Sequence, residues 1–140
     1  NHVSLEEDGT NLPSILQAGG YRTGFVGKWH VIDHHLLDNT RQWKRHGLKT
    51  YPQGANPREN PEVSAAMKHN HDRWAERIRG FGFDYADAVY AGNPRELFNE
   101  ASYAHNLEWT VDRALAFLRE QDGRQPFFLM VSATYPHGPG

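Results

Sequence analysis

Residues 12 to 27 constrain the fold most tightly, because a short helical stripe stops at a double glycine and runs straight into an apolar strand. Thr10 or Asn11 can cap the helix, Pro13 lies in its first turn, and Leu12, Ile15 and Leu16 recur at i, i+3 and i+4. Gly19-Gly20 ends it, and Tyr21 to Gly27 then reads as a strand. Phe25-Val26 has the unbroken apolarity of a strand covered on both faces, which is the mark of a parallel α/β sheet. The strand closes on Lys28-Trp29-His30. In open parallel sheets, ligands bind at that carboxyl end.

The rest of the chain repeats the helix-then-strand order. Residues 31–61 lose periodicity and collect turn formers such as Tyr51-Pro52-Gln53-Gly54, so an irregular excursion over the active face is expected there. Asn60-Pro61-Glu62 reads as a cap and first turn, and Val63, Met67, Trp74 and Ile78 mark a helix that stops at Gly80. Phe83 to Tyr90 is a second strand. The longest helix is expected from about Glu100 to Gln121, with Val111, Ala114, Leu115 and Leu118 as one stripe and Gly123 as its stop. Gln125-Pro126 enforces extension, and Phe127 to Ala133 reads as a buried central strand with His137 just beyond its carboxyl end. The fold class is α/β, with part of a mostly parallel central sheet flanked by helices.

Composition excludes several classes of function. Lys and Arg (15) nearly match Asp and Glu (17), for a net charge of −2 with neutral histidines, so nothing draws the chain globally to nucleic acid or an acidic membrane. With a mean hydropathy of −0.78 and no apolar run longer than Phe127 to Val131, there is no membrane segment. Residues 1–8 lack the basic start and apolar core of a secretory signal. There is no cysteine, which removes disulfides, thiolate metal sites and a cysteine nucleophile within these residues.

Chemistry concentrates at the strand ends. In an extended chain Lys28 and His30 share a face while Trp29 anchors the other, so a fixed cation and a titratable base meet at one spot. That pairing suits transfer of a sulfuryl or phosphoryl group. Taken alone, it reads more readily as a solvated lysine beside a hydrogen-bonded structural histidine. His34-His35 and His69-Asn70-His71 have no acidic or sulfur partner at a diagnostic spacing, so they are expected to be solvated loop residues and not a metal site. Asp38-Asn39 receives no role. Arg41, Lys44, Arg45 and Lys49 could attract an anionic saccharide, or simply form a solvated basic face. Gly20, Gly27 and Gly82 answer to backbone conformation.

Three ordered segments carry a family resemblance: Gly20-Tyr21-Arg22-Thr23 with Gly27-Lys28-Trp29-His30, then Gly82-Phe83-Asp84-Tyr85, then Pro126 to Ser132 running into Pro136-His137-Gly138-Pro139. The chain resembles the type I sulfatases of the alkaline phosphatase superfamily. The resemblance implies that residues 1–140 are an internal segment of a catalytic domain that hydrolyses sulfate esters. It implies that Lys28 contacts the sulfate and the nucleophile's oxygens. It likewise implies that His30 lies beside the nucleophile and takes its proton, and that His137 holds a sulfate oxygen or protonates the departing alcohol. The family's formylglycine nucleophile arises from a Cys/Ser-x-Pro/Ala-x-Arg motif that no serine here begins, and its calcium ligands also lie outside this chain. The isolated segment is therefore expected to be inactive. After His30 the family continues with Leu-Gly where this chain has Val31-Ile32, and Tyr135 stands where alanine is common. A sulfate ester substrate is implied, with a sulfated saccharide as one candidate; periplasmic, secreted or lysosomal placement is typical of the family. Two other readings stand beside it: a phosphonate or phosphate monoester hydrolase on the same scaffold, and a non-catalytic anion-binding domain.

Overall fold

The computed structural model describes residues 11–29, 43–44, 46–52, 54–90, 98 and 107–135. The elements alternate in order: α1 (Leu12–Ala18), β1 (Arg22–Lys28), α2 (Pro61–Arg79), β2 (Tyr85–Tyr90), α3 (Leu107–Arg119) and β3 (Phe127–Ser132). The three strands form one parallel sheet in the order β2-β1-β3, with Gly24 opposite both Tyr85 and Leu129. Part of the expected excursion, including residues 31–42, lies outside the described residues.

Local chemistry explains the helix starts. Asn11 caps α1 through a reciprocal capping box with Ser14, its Oδ1 accepting from the Ser14 N–H at 3.0 Å. Asn60 caps α2 by accepting from the Glu62 and Val63 amides, with Pro61 at the first helical position where its missing N–H costs nothing. Gly80 ends α2 where the sequence places the stop.

The core is built on both faces of β1, in which Phe25 and Val26 are wholly buried. On one face Phe25 meets Trp29 edge-on at 4.9 Å and Phe83 at 5.6 Å, beneath Ala75, Ile78 and Phe81. Each such aromatic or aliphatic side chain contributes about 1.5–3 kcal/mol by leaving water. On the other face α3 lays Phe117 over Gly24, where a Cβ would come within 2.8 Å of the ring. The close approach of α3 to the sheet depends on that missing atom.

Two expectations are corrected. Among the described residues the central strand is β1 and β3 stands at an edge, with Phe127, Met130 and Val131 each more than two-fifths exposed. The helix expected from about Glu100 is described over Leu107–Arg119, its expected start lying outside the described residues, and α2 is described over 19 residues. Of the expected stripe, Ala114 is buried while Val111, Leu115 and Leu118 are exposed, and Trp109, Thr110 and Phe117 are the residues buried with Ala114. This helix carries two apolar faces roughly a third of a turn apart, and the bulkier one, with Phe117 and Trp109, fills the gap above β1 and β2. Leu12 and Ile15 of α1 are likewise exposed.

At the amino edge, two of the sequence motifs prove to be one clasp. The Thr23 amide donates to Asp84 Oδ2 at 2.9 Å, the Asp84 amide donates back to Thr23 O at 3.0 Å, and the Thr23 hydroxyl donates to Gly82 O at 2.7 Å. Gln17 of α1 adds a bond to Asp84 Oδ1 at 2.6 Å. Gly82 lets the loop touch α1, since a Cβ there would lie 2.5 Å from Ser14 Cα. Burial would raise the Asp84 pKa, but the bonds from Thr23 and Gln17 and the charge of Arg22 outweigh it and hold the carboxyl below its ordinary value. A depressed folded-state pKa contributes stability above the unfolded value near ~3.9 and loses it as pH falls through the folded value. Asp84→Ala should therefore destabilise the protein by about 1–3 kcal/mol, since it strips partners from the fully buried Thr23. Its deficit should shrink in acid. Denaturant midpoints at neutral and acid pH test this; a deficit equal at both would remove the carboxylate from the clasp.

Candidate active site at the carboxyl edge

Lys28 is the last residue of β1 and is half-buried, while the next residue, Trp29, turns its ring into the core against Phe25 and Phe81. This is the alternation expected from an extended backbone. The Trp29 amide donates to Tyr90 O at 2.9 Å, carrying the β1–β2 pairing one residue past the strand. The register shifts between Val26 and Lys28, where Asp87 faces Val26 and Tyr90 faces Lys28. Beside that irregularity Ala88 is wholly buried with φ of 50°. A left-handed alanine is strained, and such strain persists only where the surroundings enforce it. Here the Asp87 side chain accepts from the Ala88 amide at 2.6 Å, while Ala88 packs with Tyr90 and Trp109.

Burial pushes the Lys28 ammonium below its ordinary value of 10.5, because a cation loses hydration at the end of a covered strand. An anion at that edge would favour the charged form. One strand away, β3 runs parallel to β1 with Ser132 opposite Gly27, so the chain leaving β3 emerges at the edge that carries Lys28. The buried Tyr90 and Thr134 hydroxyls, 2.6 Å apart, tie the ends of β2 and β3 together across β1. Neither residue stands out in the sequence; a tyrosine ending a strand carries no signal of a partner 44 positions away.

Lys28 is thus placed at the carboxyl edge, as expected. His30 and His137 lie outside the described residues, as do His34, His35, Asp38, Asn39, Arg41 and Arg45. His69 and His71 depart from expectation, since both lie on α2 instead of a loop. His69 Nε2 is 2.8 Å from Gly47 O. His71 is largely buried, with Nδ1 3.0 Å from Asp72 and its ring 5.4 Å from that of Trp109. Its Nε2 lies 3.3 Å from Asp87 Oδ1, an ion-pair distance without hydrogen-bond alignment. For Asp87, burial acts to raise the pKa, and the contacts with His71, the Ala88 amide and Arg113 outweigh it to leave the carboxyl lowered. These pairs join α2 and α3 to β2. Among the described residues no group of three or more His, Asp or Glu side chains could hold a metal ion.

Comparison with known proteins supplies the class. The family model described as Sulfatase matches residues 2–140. The chain is 24% identical over 131 residues to an arylsulfatase of Clostridium perfringens, covering 91% of this chain and 27% of that protein. It is 25% identical over 141 residues to an N-acetylglucosamine-6-O-sulfatase of Bacteroides thetaiotaomicron, covering 98% of this chain and 18% of that protein. It thus spans about a quarter or less of the length of these relatives. With a family match running through the buried strand, its terminal lysine and the parallel strand beside it, the chain belongs to the sulfatase family.

Proposed function

We propose that residues 1–140 form one wall of the active site of a sulfate ester hydrolase. The observation that carries this reading is Lys28, a half-buried cation at the carboxyl end of the central parallel strand, on the edge where β3 also delivers its chain. A sulfate monoester bears a single negative charge spread over three oxygens. A compact ammonium that has already lost part of its hydration can hold those oxygens and oppose the charge gathered as the S–O bond to the alcohol breaks.

In this reading His30, two residues on, takes a proton from the nucleophile, and His137, three residues beyond Thr134, holds a non-bridging oxygen or protonates the departing alcohol. Imidazoles titrate in the range both tasks require. The nucleophile is a formylglycine supplied outside residues 1–140, whose hydrate attacks sulfur. Calcium would be held by residues other than those described, because these offer no cluster to bind it. The substrate class is a sulfate ester, with a sulfated sugar as the favoured alcohol; the named substrate of the Bacteroides relative is a sulfated amino sugar.

The complete protein should hydrolyse an activated aryl sulfate with a kcat/KM well above its value for the matching phosphate monoester or phosphonate ester. The reverse order would move the protein to the phosphate and phosphonate hydrolases. Binding of sulfate without turnover of any of the three esters would leave a non-catalytic anion site.

A further inference from the structure

A cavity of about 490 Å³ lies away from the carboxyl edge, between Lys44, His46, Gly47 and Leu48 on one side and the second half of α2 on the other. Lys44, His46, Arg73, Trp74, Glu76 and Arg77 line it, giving three fixed cations against one carboxylate. The stretch of α2 that forms its wall leads into the amino end of β2, whereas Lys28 ends β1 at the opposite edge. This groove is not where Lys28 acts.

Its walls are held in place before any ligand arrives. Asn70 of α2 grips Lys49 from both sides, accepting from its amide at 2.7 Å and donating to its carbonyl at 2.8 Å. His69 meets Gly47 O at 2.8 Å, and Trp43 and Leu48 anchor the segment in the core. Arg73 pairs with Glu76, and its Nε would lie 3.4 Å from a Cβ at Gly47, so the guanidinium runs along bare backbone. The His46 and Trp74 rings stand 6.4 Å apart, inclined at 31°. Rings presented beside guanidinium groups offer a flat apolar face and forked donors together. A sugar ring has apolar C–H faces that suit the former, and a sulfate group accepts from the latter. The volume falls within the usual range for small-ligand clefts.

We propose that this groove binds a sulfated saccharide chain at a distance from the scissile ester. It deepens the sulfatase reading above by adding a second contact with a polymeric substrate, and its binding does not require turnover. Lys44 and Arg73 are exposed, so Lys44→Glu with Arg73→Glu reverses the charge without opening the core.

The test uses the complete protein with a size-defined, heparin-derived sulfated oligosaccharide and its desulfated counterpart, measured by calorimetry, beside turnover of a small aryl sulfate. The double variant should bind the sulfated oligosaccharide at least about tenfold more weakly, the loss expected for two charged contacts, and keep its aryl sulfatase kcat/KM. Trp74→Phe should weaken binding less. Affinity unchanged in the double variant overturns the groove, as does equal affinity for the desulfated chain. Lys28→Ala separates the two readings, because it should lose aryl sulfate turnover while the double variant's loss of oligosaccharide affinity persists when made in the Lys28→Ala background. If no sulfate ester is cleaved and the double variant still loses binding, the groove stands and the sulfatase reading falls. If aryl sulfate is cleaved and oligosaccharide binding survives the double variant, only the groove falls.

Discussion

Lys28→Ala in the complete enzyme is expected to lower kcat by about a hundredfold to a thousandfold, the usual loss for one group that meets charge developing in the transition state. KM should move far less. Lys28 ends a strand that is hydrogen-bonded on both sides, so the truncation removes charge without disturbing the wholly buried Phe25 and Val26. A pH signature accompanies it. Burial lowers the Lys28 pKa in the free protein, and a bound anion opposes that shift. The alkaline limb of kcat/KM, which reports the free enzyme, should therefore fall at lower pH than the limb of kcat, which reports the complex. Steady-state profiles on an aryl sulfate measure both. A limb that persists unchanged in Lys28→Ala belongs to another group, and unchanged turnover would make Lys28 a structural residue.

Gly27→Ala is expected to be the most damaging single substitution for the fold. Gly27 has φ of 106°, and a Cβ there would lie 2.2 Å from Ser132 O and 2.9 Å from Ser132 C. Both atoms are backbone, so no side-chain rotation relieves the clash. Positive-φ strain costs on the order of 1–3 kcal/mol and overpacking about as much again. Their sum approaches the whole stability of a marginal domain. Because Gly27 precedes Lys28 and faces the last residue of β3, any shift that accommodates the methyl also displaces the lysine and the exit of β3. Gly54→Ala is the control: it has φ of 74° with nothing within 4 Å, and should cost only the strain. Denaturant midpoints decide between them. Equal losses in the two variants would show that the β1–β3 approach is looser than the geometry requires, and an unchanged kcat in a folded Gly27→Ala would uncouple that approach from the site.

The clasp and the groove show why the motifs could be found in the sequence more readily than their meaning. Gly82-Phe83-Asp84 looks like a signature, but its atoms serve Thr23, Ser14 and Gln17 at the amino edge, opposite the edge that carries Lys28. A motif marks a constraint on residue type. It does not say whether a ligand or a neighbouring backbone imposes it. His69 and His71 likewise read as solvated, because nothing in a linear spacing shows that α2 would press them against Gly47, Asp87 and Trp109.

By itself the sequence determined the local elements: the caps Asn11 and Asn60, the stop at Gly80, the apolar run of β1 and the placement of Lys28 at its end. These follow from interactions a few residues apart, in which a side chain meets its own backbone or the strand alternates. Tertiary structure alone decided which strand is central, which face of α3 is buried, and which carbonyl Gly27 must clear. Phe127 to Ser132 and Arg22 to Lys28 are both apolar enough for the middle of a sheet, and α3 has two faces apolar enough to pack. Periodicity ranks such faces by hydrophobicity, whereas packing selects between them by shape, and shape exists only once Phe117 has found the space above Gly24.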